Sequence, residues 1–305
     1  MEIVKNKSVL VTGGRGFIGR AVTTLLRRSG YAVVSLDTVS RTSSAADQIE
    51  TEVLCDIRDS VKVQRVFEGR RFDGIVHLAA ILPTAAQRDP GQATEVNVEG
   101  SLHLLEMARR FGVRRFVFGS SLSVYGTCPA DQVVSETDRA APEDVYGAAK
   151  LYVEQLGEAY RQSHDLEFVS LRIGRVVGPG AESASSAWRS QIFELLGTTN
   201  AVEIALPYVG AERILVVHVD DVAKMLVALL RTACPMHSVY NAVCESVVVD
   251  DLKREVERLN SRISVKVGEA HALGNPRLLD SSRFRQEFGV ETLPMFEWLR
   301  KEAER

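Results

Sequence analysis

From Ser8 to about Arg172 the chain alternates short apolar runs rich in β-branched residues with amphipathic segments. That alternation lays down a parallel sheet with helices on its faces. The strand candidates are SVLVT (8–12), AVVSL (32–36), EVLC (52–55), GIVHL (74–78), RFVFG (115–119) and FVSLR (168–172). Most of them lack a polar face, as strands buried between two helix layers do. Ile18, Val22, Leu25 and Leu26 recur at helical spacing and stop at Gly30, a suitable C-terminal cap. Further helices are expected over about 94–111, ending at Gly112, and from Asp144 to about Ser163, with Asp144 as N-cap. This is an α/β chain with a Rossmann-type doubly wound parallel sheet over residues 1–178. Past Gly178 the alternation fades, and GPGAESASSAW reads as a loop leaving the sheet. A helix near 187–196, a strand at 214–218, a helix at 220–231 and terminal helices after 250 follow. Residues 179–305 are therefore expected mainly as a small substrate-binding cap, with some segments able to return to the sheet.

The 305 residues, 45% hydrophobic and 25% charged, suffice for a full core. A net charge of -3 gives no field that would gather nucleic acid or an anionic membrane, so a small molecule is the expected ligand. No apolar run approaches the roughly 20 residues of a membrane helix, and the opening MEIVKNKSVLVTGG lacks the succession of a signal peptide. A cytoplasmic location is expected. Cys55, Cys128, Cys234 and Cys244 are scattered without metal-ligand spacing and read as reduced and structural. His77, at the end of a core strand, also reads as structural, and no catalytic metal is expected.

Directly after the first strand comes Gly13-Gly14-Arg15-Gly16-Phe17-Ile18-Gly19, a glycine-rich turn opening a helix. Gly13 suits the tight turn, Gly16 the approach of a pyrophosphate, and Gly19 the close packing of helix on strand. The helix N-terminus offers free N–H groups to phosphate. Asp37 follows 18 residues after Gly19, where a carboxylate accepts hydrogen bonds from an adenosine ribose. The pattern reads as dinucleotide binding. Asp37 would repel a 2′-phosphate and favours NAD over NADP, while Arg15 and Arg41 are the residues that would argue for NADP. Asp56, after the third strand, is placed either to bond the adenine amino group or to cap a helix.

Tyr146 and Lys150 stand one helical turn apart on one face. An ammonium beside a phenol favours the phenolate, so the pair is expected to make Tyr146 a usable general base. Upstream, the strand RFVFG runs into Ser120-Ser121-Leu122-Ser123-Val124-Tyr125-Gly126. A hydroxyl at that strand end lies at the ligand edge of an open α/β sheet, which makes Ser121 a substrate contact and leaves Ser120 to turn chemistry.

In TGGRGFIG, Asp56-Ile57, His77-Leu78-Ala79-Ala80, Asn97 in VNVEG, SSLSVYG, YGAAK and LRIGRVVGPG, the chain resembles the extended short-chain dehydrogenase/reductase family, also called the NAD-dependent epimerase/dehydratase family. The resemblance spans roughly residues 8–180, with a weaker echo at HVDDVA. It implies Tyr146 as the acid/base, Lys150 as its tuner and a ligand of the nicotinamide ribose, and Ser121 as the residue orienting substrate. It implies cofactor contacts at Phe17, Ile18, Ile57, Leu78, Ala79, Ala80, Asn97 and Ile173, with Ser123 a secondary polar contact to substrate. It also implies a homodimer formed through the helices at 94–111 and 144–163.

The family's dehydratases resemble one another in carrying an Asp-Glu pair where this chain has Leu122 and Ser123, so dehydration is disfavoured. Its nucleotide-sugar epimerases keep an asparagine for the diphosphate where Leu171-Arg172-Ile173-Gly174-Arg175 places Arg175. Arg175 suits a carboxylate or phosphate. The expectation is an NAD-dependent oxidoreductase acting on a hydroxyl or carbonyl of a sugar or sugar-acid derivative. A nucleotide-sugar 4-epimerase with tightly bound NAD is the alternative, and a non-catalytic NAD-binding regulator the alternative of another class. Thr84, Ser185, Ser186 and Arg213 are further substrate candidates. Trp188 and Arg189 share the covering loop, with core packing the other reading of Trp188, and His218 and Asp220 are expected to start and cap a helix.

Overall fold

The computed structural model describes residues 7–39, 51–181 and 186–304. The strands are β1 (Ser8–Thr12), β2 (Ala32–Asp37), β3 (Thr51–Leu54), β4 (Gly74–His77), β5 (Arg115–Ser121), β6 (Val133–Val134), β7 (Glu167–Ile173), β8 (Arg175–Val177), β9 (Val202–Tyr208), β10 (Arg213–His218), β11 (Val239–Asn241), β12 (Glu245–Val248), β13 (Ile263–Ala270) and β14 (Leu278–Leu279). The helices are α1 (Phe17–Arg28), α2 (Ser60–Phe67), α3 (Pro83–Arg88), α4 (Pro90–Thr94), α5 (Gly100–Arg110), α6 (Val145–Ser163), α7 (Trp188–Glu194), α8 (Val219–Arg231), α9 (Val249–Leu259), α10 (Ser282–Phe288) and α11 (Met295–Ala303). A π-helical turn, Glu95–Glu99, leads into α5, and a 3-10 turn, Leu122–Tyr125, follows β5.

Seven parallel strands form one sheet in the order β11-β7-β5-β4-β1-β2-β3. The order reverses at β1, whose neighbours are β2 and β4. In an open parallel sheet the crevice beyond the strand ends at such a reversal is the ligand site. The central strands carry no polar face: β4 and β5 are buried throughout, and only the edge strand β3 alternates.

One face of the sheet is covered by α1 and α8, where Val22, Leu26, Val222, Met225, Leu226 and Leu229 pack on Val9, Val11, Val76 and Val117. On the other face Val63, Phe67, Leu104, Leu105 and Val153 pack on Leu10, Ile75, Phe116 and Phe168. A separate core, including Trp188, Phe193, Ile204, Leu206, Leu252 and Trp298, holds the cap. There β9 pairs with β13, while β10 lies between β8 and β12. The strand β11 joins the main sheet beside β7, so the chain beyond Gly178 contributes to both layers.

Two local expectations are corrected. The third strand ends at Leu54, and Cys55 is buried beyond it. Ser120 is not a turn residue but the buried penultimate residue of β5, donating to Glu154 at 2.6 Å.

At Gly157 a methyl group would overlap the Phe168 ring, which is how α6 comes to lie so close to β7. Gly157→Ala is expected to destabilise the protein by about 1–3 kcal/mol, the usual cost of overpacking, measured by chemical denaturation of variant and parent.

Candidate active site

The first βα turn is built for close approach of a ligand backbone. Gly13 has φ +65°, and a Cβ there would stand 2.7 Å from the Ala79 nitrogen. A Cβ on Gly19 would overlap the Gly13 carbonyl oxygen, so α1 sits directly on the turn. At Gly16 an added Cβ would meet only that carbonyl, at 3.1 Å, and the space before the helix is otherwise open. Gly16 caps α1 without a side-chain hydrogen bond, and the first turn of Phe17–Arg28 holds no acidic residue. The turn thus fits a dinucleotide pyrophosphate, with N–H groups free to receive it.

Asp37, the last residue of β2, is held over this turn: its carboxylate accepts from the Arg15 N–H at 2.9 Å and the Thr38 N–H at 2.8 Å. The Arg15 guanidinium is engaged by the Glu52 carboxylate of β3. Arg41 lies outside the described residues. These observations favour the ribose of NAD at Asp37.

Leu78, Ala79 and Ala80 follow β4 at the crevice, with the Leu78 and Ala79 N–H groups on Thr12 Oγ1 at 3.2 and 3.3 Å. Asn97 is almost fully buried, and both ends of its amide bond the Ile81 backbone, at 2.7 and 3.0 Å. It fixes the loop lining the cofactor path, and its side chain is not turned to the crevice. Ile57 packs in the core against Gly100, with its carbonyl on His103. Asp56 is held by Arg58, whose guanidinium keeps the carboxyl below the usual carboxylate range. The cap of α2 is Asp59, accepting from the Lys62 N–H, which corrects the capping alternative for Asp56.

Ser121 ends β5 beside Ile173 of β7, and its Oγ lies 3.1 Å from both the Ser123 hydroxyl and the Ser123 N–H. The helix α6 approaches this strand end because Gly147 lacks a Cβ, which would stand 2.5 Å from the Ser123 carbonyl. Its N-cap Asp144 accepts from the Gly147 N–H at 2.6 Å. That seating brings Tyr146 into hydrogen-bond contact with Ser121. It also buries Lys150, whose Nζ donates to the Gly119 carbonyl at 2.7 Å and lies 5.5 Å from the Tyr146 ring centroid.

The electrostatics correct the simple tuning expectation. Burial pushes the Tyr146 phenol up to about 12, with Asp144 adding to the rise and Ser121 and Arg189 opposing it. Burial likewise brings the Lys150 amine down to about 7, against the pull of Glu154. Burial dominates both groups, and near neutral pH the tyrosine is a phenol.

Among the substrate candidates, Arg175 opens β8 and its Nε donates to the Tyr208 hydroxyl at 3.0 Å. Arg189 reaches the same hydroxyl and acts electrostatically on Tyr146. Arg189 reads from the sequence only as a residue of the covering loop; it lies in α7, which Ser190 ties to Gly178 and Ala181. Trp188 is buried in the cap core, edge-on to Tyr208. Ser186 is half-buried at the start of the helical turn before α7, and Ser185 lies outside the described residues. Thr84 is exposed on α3. Arg213 is exposed at the far end of β10, three residues before the partner of Arg175, about 10 Å along the strand. The helix α3 packs on α6, which carries Tyr146.

His77 is buried between Thr12 and Ser101 at 2.6 and 2.8 Å, and His218 caps α8 and stacks on Trp298. Among the described residues no group of three or more His, Cys, Asp or Glu is placed to hold a metal ion. No described helix is long and apolar enough to cross a membrane. The four cysteines are free, and Cys234 is exposed, outside any core.

A doubly wound sheet with a glycine-rich turn that fits a pyrophosphate, and a Ser-Tyr-Lys set at the end of β5, is the architecture of nicotinamide-dependent enzymes of the short-chain dehydrogenase type. Residues 9–242 match the model of the NAD dependent epimerase/dehydratase family, and the chain belongs to that family. Its cofactor is NAD. The chain is 34% identical to a UDP-glucose 4-epimerase of Lacticaseibacillus casei over 174 residues, 56% of this chain and 52% of that protein. It is 30% identical to a uronate dehydrogenase of Pseudomonas syringae pv. tomato over 166 residues, 54% of this chain and 58% of that one. The matched stretch thus spans about half the length of such curated relatives. The structure resembles that of Thermus thermophilus UDP-glucose 4-epimerase in complex with NAD, with a TM-score of 0.83, 26% identity and coverage of 97% and 98% of the two chains. It shares its fold with L-threonine 3-dehydrogenase of Trypanosoma brucei, with a TM-score of 0.87 at 23% identity over 97% and 95% of the chains. The family to which the chain belongs is named for enzymes, and the relatives named above are enzymes.

Two outcomes follow. Asp37→Ala is expected to weaken NADH binding about tenfold, the loss of a charge-assisted hydrogen bond, and to narrow discrimination against NADPH in fluorescence titrations. Lys150 has its ordinary value of 10.5 when unfolded and about 7 when folded, so across that window the unfolded chain binds more protons and stability rises with pH. Lys150→Met removes that contribution. Its melting temperature should gain less than the parent's between pH 7 and about pH 9, and an equal gain in both proteins would contradict the buried-amine account.

Proposed function

We propose that this enzyme oxidises a hydroxyl group of a sugar or sugar-acid derivative, or reduces the corresponding carbonyl, with NAD as hydride carrier. The observation that supports the reading most is the meeting of Ser121, Tyr146 and Lys150 at the same edge of the parallel sheet as the glycine-rich turn. When bound, NAD supplies a hydride acceptor in reach of that edge. Gly13, Gly16 and Gly19 would hold its pyrophosphate, Asp37 its adenosine ribose, and Lys150 its nicotinamide ribose.

The protein's own part is proton chemistry. Ser121 Oγ and the Tyr146 hydroxyl bracket one oxygen of the substrate: Ser121 orients it, and Tyr146 accepts the hydroxyl proton in oxidation or donates it in reduction. Lys150, held by Gly119 and 5.5 Å from the Tyr146 ring centroid, would receive the phenol's proton. Leu122 is fully buried and Ser123 bonded to Ser121, so the positions after Ser121 offer no acid-base pair for eliminating water.

A 4-epimerase is the second reading, supported by the UDP-glucose 4-epimerases among the relatives. Against it, Arg175 occupies the place where such enzymes keep an asparagine, and it is engaged with Tyr208. The assembly that fits the family is a homodimer through α5 and α6, where Leu102 and Tyr152 are exposed.

Purified protein with NAD and a panel of sugars, aldonates, uronates and lactones should form NADH, followed at the nicotinamide absorbance band. Tyr146→Phe should lower that rate about 10²–10⁴-fold, the usual worth of a positioned acid-base group. Because the phenol starts near 12, the parent's oxidation rate should climb with pH above neutrality. A silent panel together with isomerisation of a nucleotide sugar would replace the dehydrogenase by the epimerase.

A further inference from the structure

The cap brings two guanidinium groups to a single hydroxyl. Arg175 Nε donates to Tyr208 at 3.0 Å with its charge 5.4 Å from the ring centroid, and Arg189 bonds the same hydroxyl. Both arginines are half-buried. Arg189 is placed by a built corner: the Gly178 N–H donates to its carbonyl at 3.0 Å, and Ser190 Oγ ties Gly178 and Ala181 to α7 at 2.9 Å each. Its guanidinium lies over Trp188, and its charge is felt at Tyr146.

This arrangement is costly as it stands. A guanidinium stays charged in proteins, and two of them near each other in a partly desolvated cap repel. Burial disfavours the charge on Arg189 and the neighbouring Arg175 disfavours it further. No described ion pair includes either arginine. The Arg189 Nε–H is buried with no hydrogen-bond partner among the described residues. Buried charge without a counter-charge is held in place only where something else repays it.

We infer that Arg175 and Arg189, bridged by Tyr208, form an oxyanion clamp that selects a substrate carrying a carboxylate or phosphate group. The assignment rests on the proposed oxidoreductase reading for where substrate lies, and adds to it the charge the substrate must bear. A guanidinium pair offers parallel N–H donors that match either anion. Its closeness to Tyr146 sets the anion near the reacting carbon, a few bonds away. The carboxylate is the form expected of a sugar acid, and the phosphate the form expected of a nucleotide sugar.

The test is calorimetric binding to the enzyme saturated with NADH, a complex in which a hydroxyl substrate is not turned over. The probes are galacturonate, tartrate, UDP-galactose and, as the neutral control, galactose. At least one anion should bind more tightly than galactose. Arg189→Met should weaken that anion about tenfold or more, the worth of a charged hydrogen bond, while leaving galactose and NADH binding unchanged, with Arg189→Lys intermediate. Preference for galacturonate or tartrate identifies a carboxylate, and preference for UDP-galactose a phosphate. If Arg189→Met binds every anion as the parent does, or no anion binds better than galactose, the clamp is wrong. Arg189-dependent anion binding with no NAD reduction by any hydroxy acid would leave the clamp and remove the dehydrogenase reading. Oxidation of galacturonate or tartrate undisturbed by Arg189→Met would do the reverse.

Discussion

Arg172 of β7 and Glu154 of α6 are paired at 2.7 Å with both side chains almost wholly buried. Glu154 also accepts from Ser120 of β5, and the Arg172 guanidinium lies 4.7 Å from the Tyr125 ring centroid. Tyr125 in turn donates to Asn241 of β11 at 2.7 Å. One polar chain therefore ties three strands and the catalytic helix together one turn below Lys150. A buried pair of this kind gives little net stability, yet losing one partner strands the other charge. Its contribution here is register: α6 cannot slide or rotate without breaking it, and Tyr146 and Lys150 ride on α6. Gly147 and Gly157 serve the same end sterically, by removing the side chains that would lift the helix from the sheet.

Close seating has an electrostatic consequence. The contact that aligns Tyr146 with Ser121 also strips water from Lys150, so both groups are pushed toward their neutral forms. Near neutral pH Tyr146 is thus not a standing phenolate, because burial holds it as a phenol.

Much of this was legible in the sequence because it rests on local rules. Strands buried on both faces read as continuous apolar runs, and glycines at fixed offsets mark a turn that no side chain could occupy. Tyr146 and Lys150 sit four residues apart on a helix whose N-cap, Asp144, was also readable. What escaped depended on partners far along the chain. Asn97 reads as a cofactor contact and its amide is taken up by the Ile81 backbone; Asp56 reads either as an adenine contact or as a cap, and the capping falls to Asp59. Ser120 read as turn chemistry because its partner, Glu154, lies 34 residues away. The strand Val202–Tyr208 carries an alternating pattern, Val202, Ile204 and Leu206, but its mate β13 is some 60 residues distant and the pairing has no local signature.

The same reasoning explains why substrate identity is the least legible property. The proposed catalytic groups lie on β5 and α6, elements fixed by the main sheet, whereas the residues proposed to discriminate substrates come from β8, α7 and β9, which meet only after the cap has folded. Arg175 stands next to a readable motif, yet Arg189 and Tyr208 become its neighbours through the packing of Trp188 on Tyr208 and the ties between Gly178 and Ser190. A family that keeps its proton chemistry on the sheet and its recognition on the cap can change substrates by altering a few cap positions, with little effect on the strands. On this view relatives bearing the names of an epimerase, a uronate dehydrogenase and a threonine dehydrogenase can share a fold with one chain, because what separates them is held in the layer whose contacts the sequence leaves least marked.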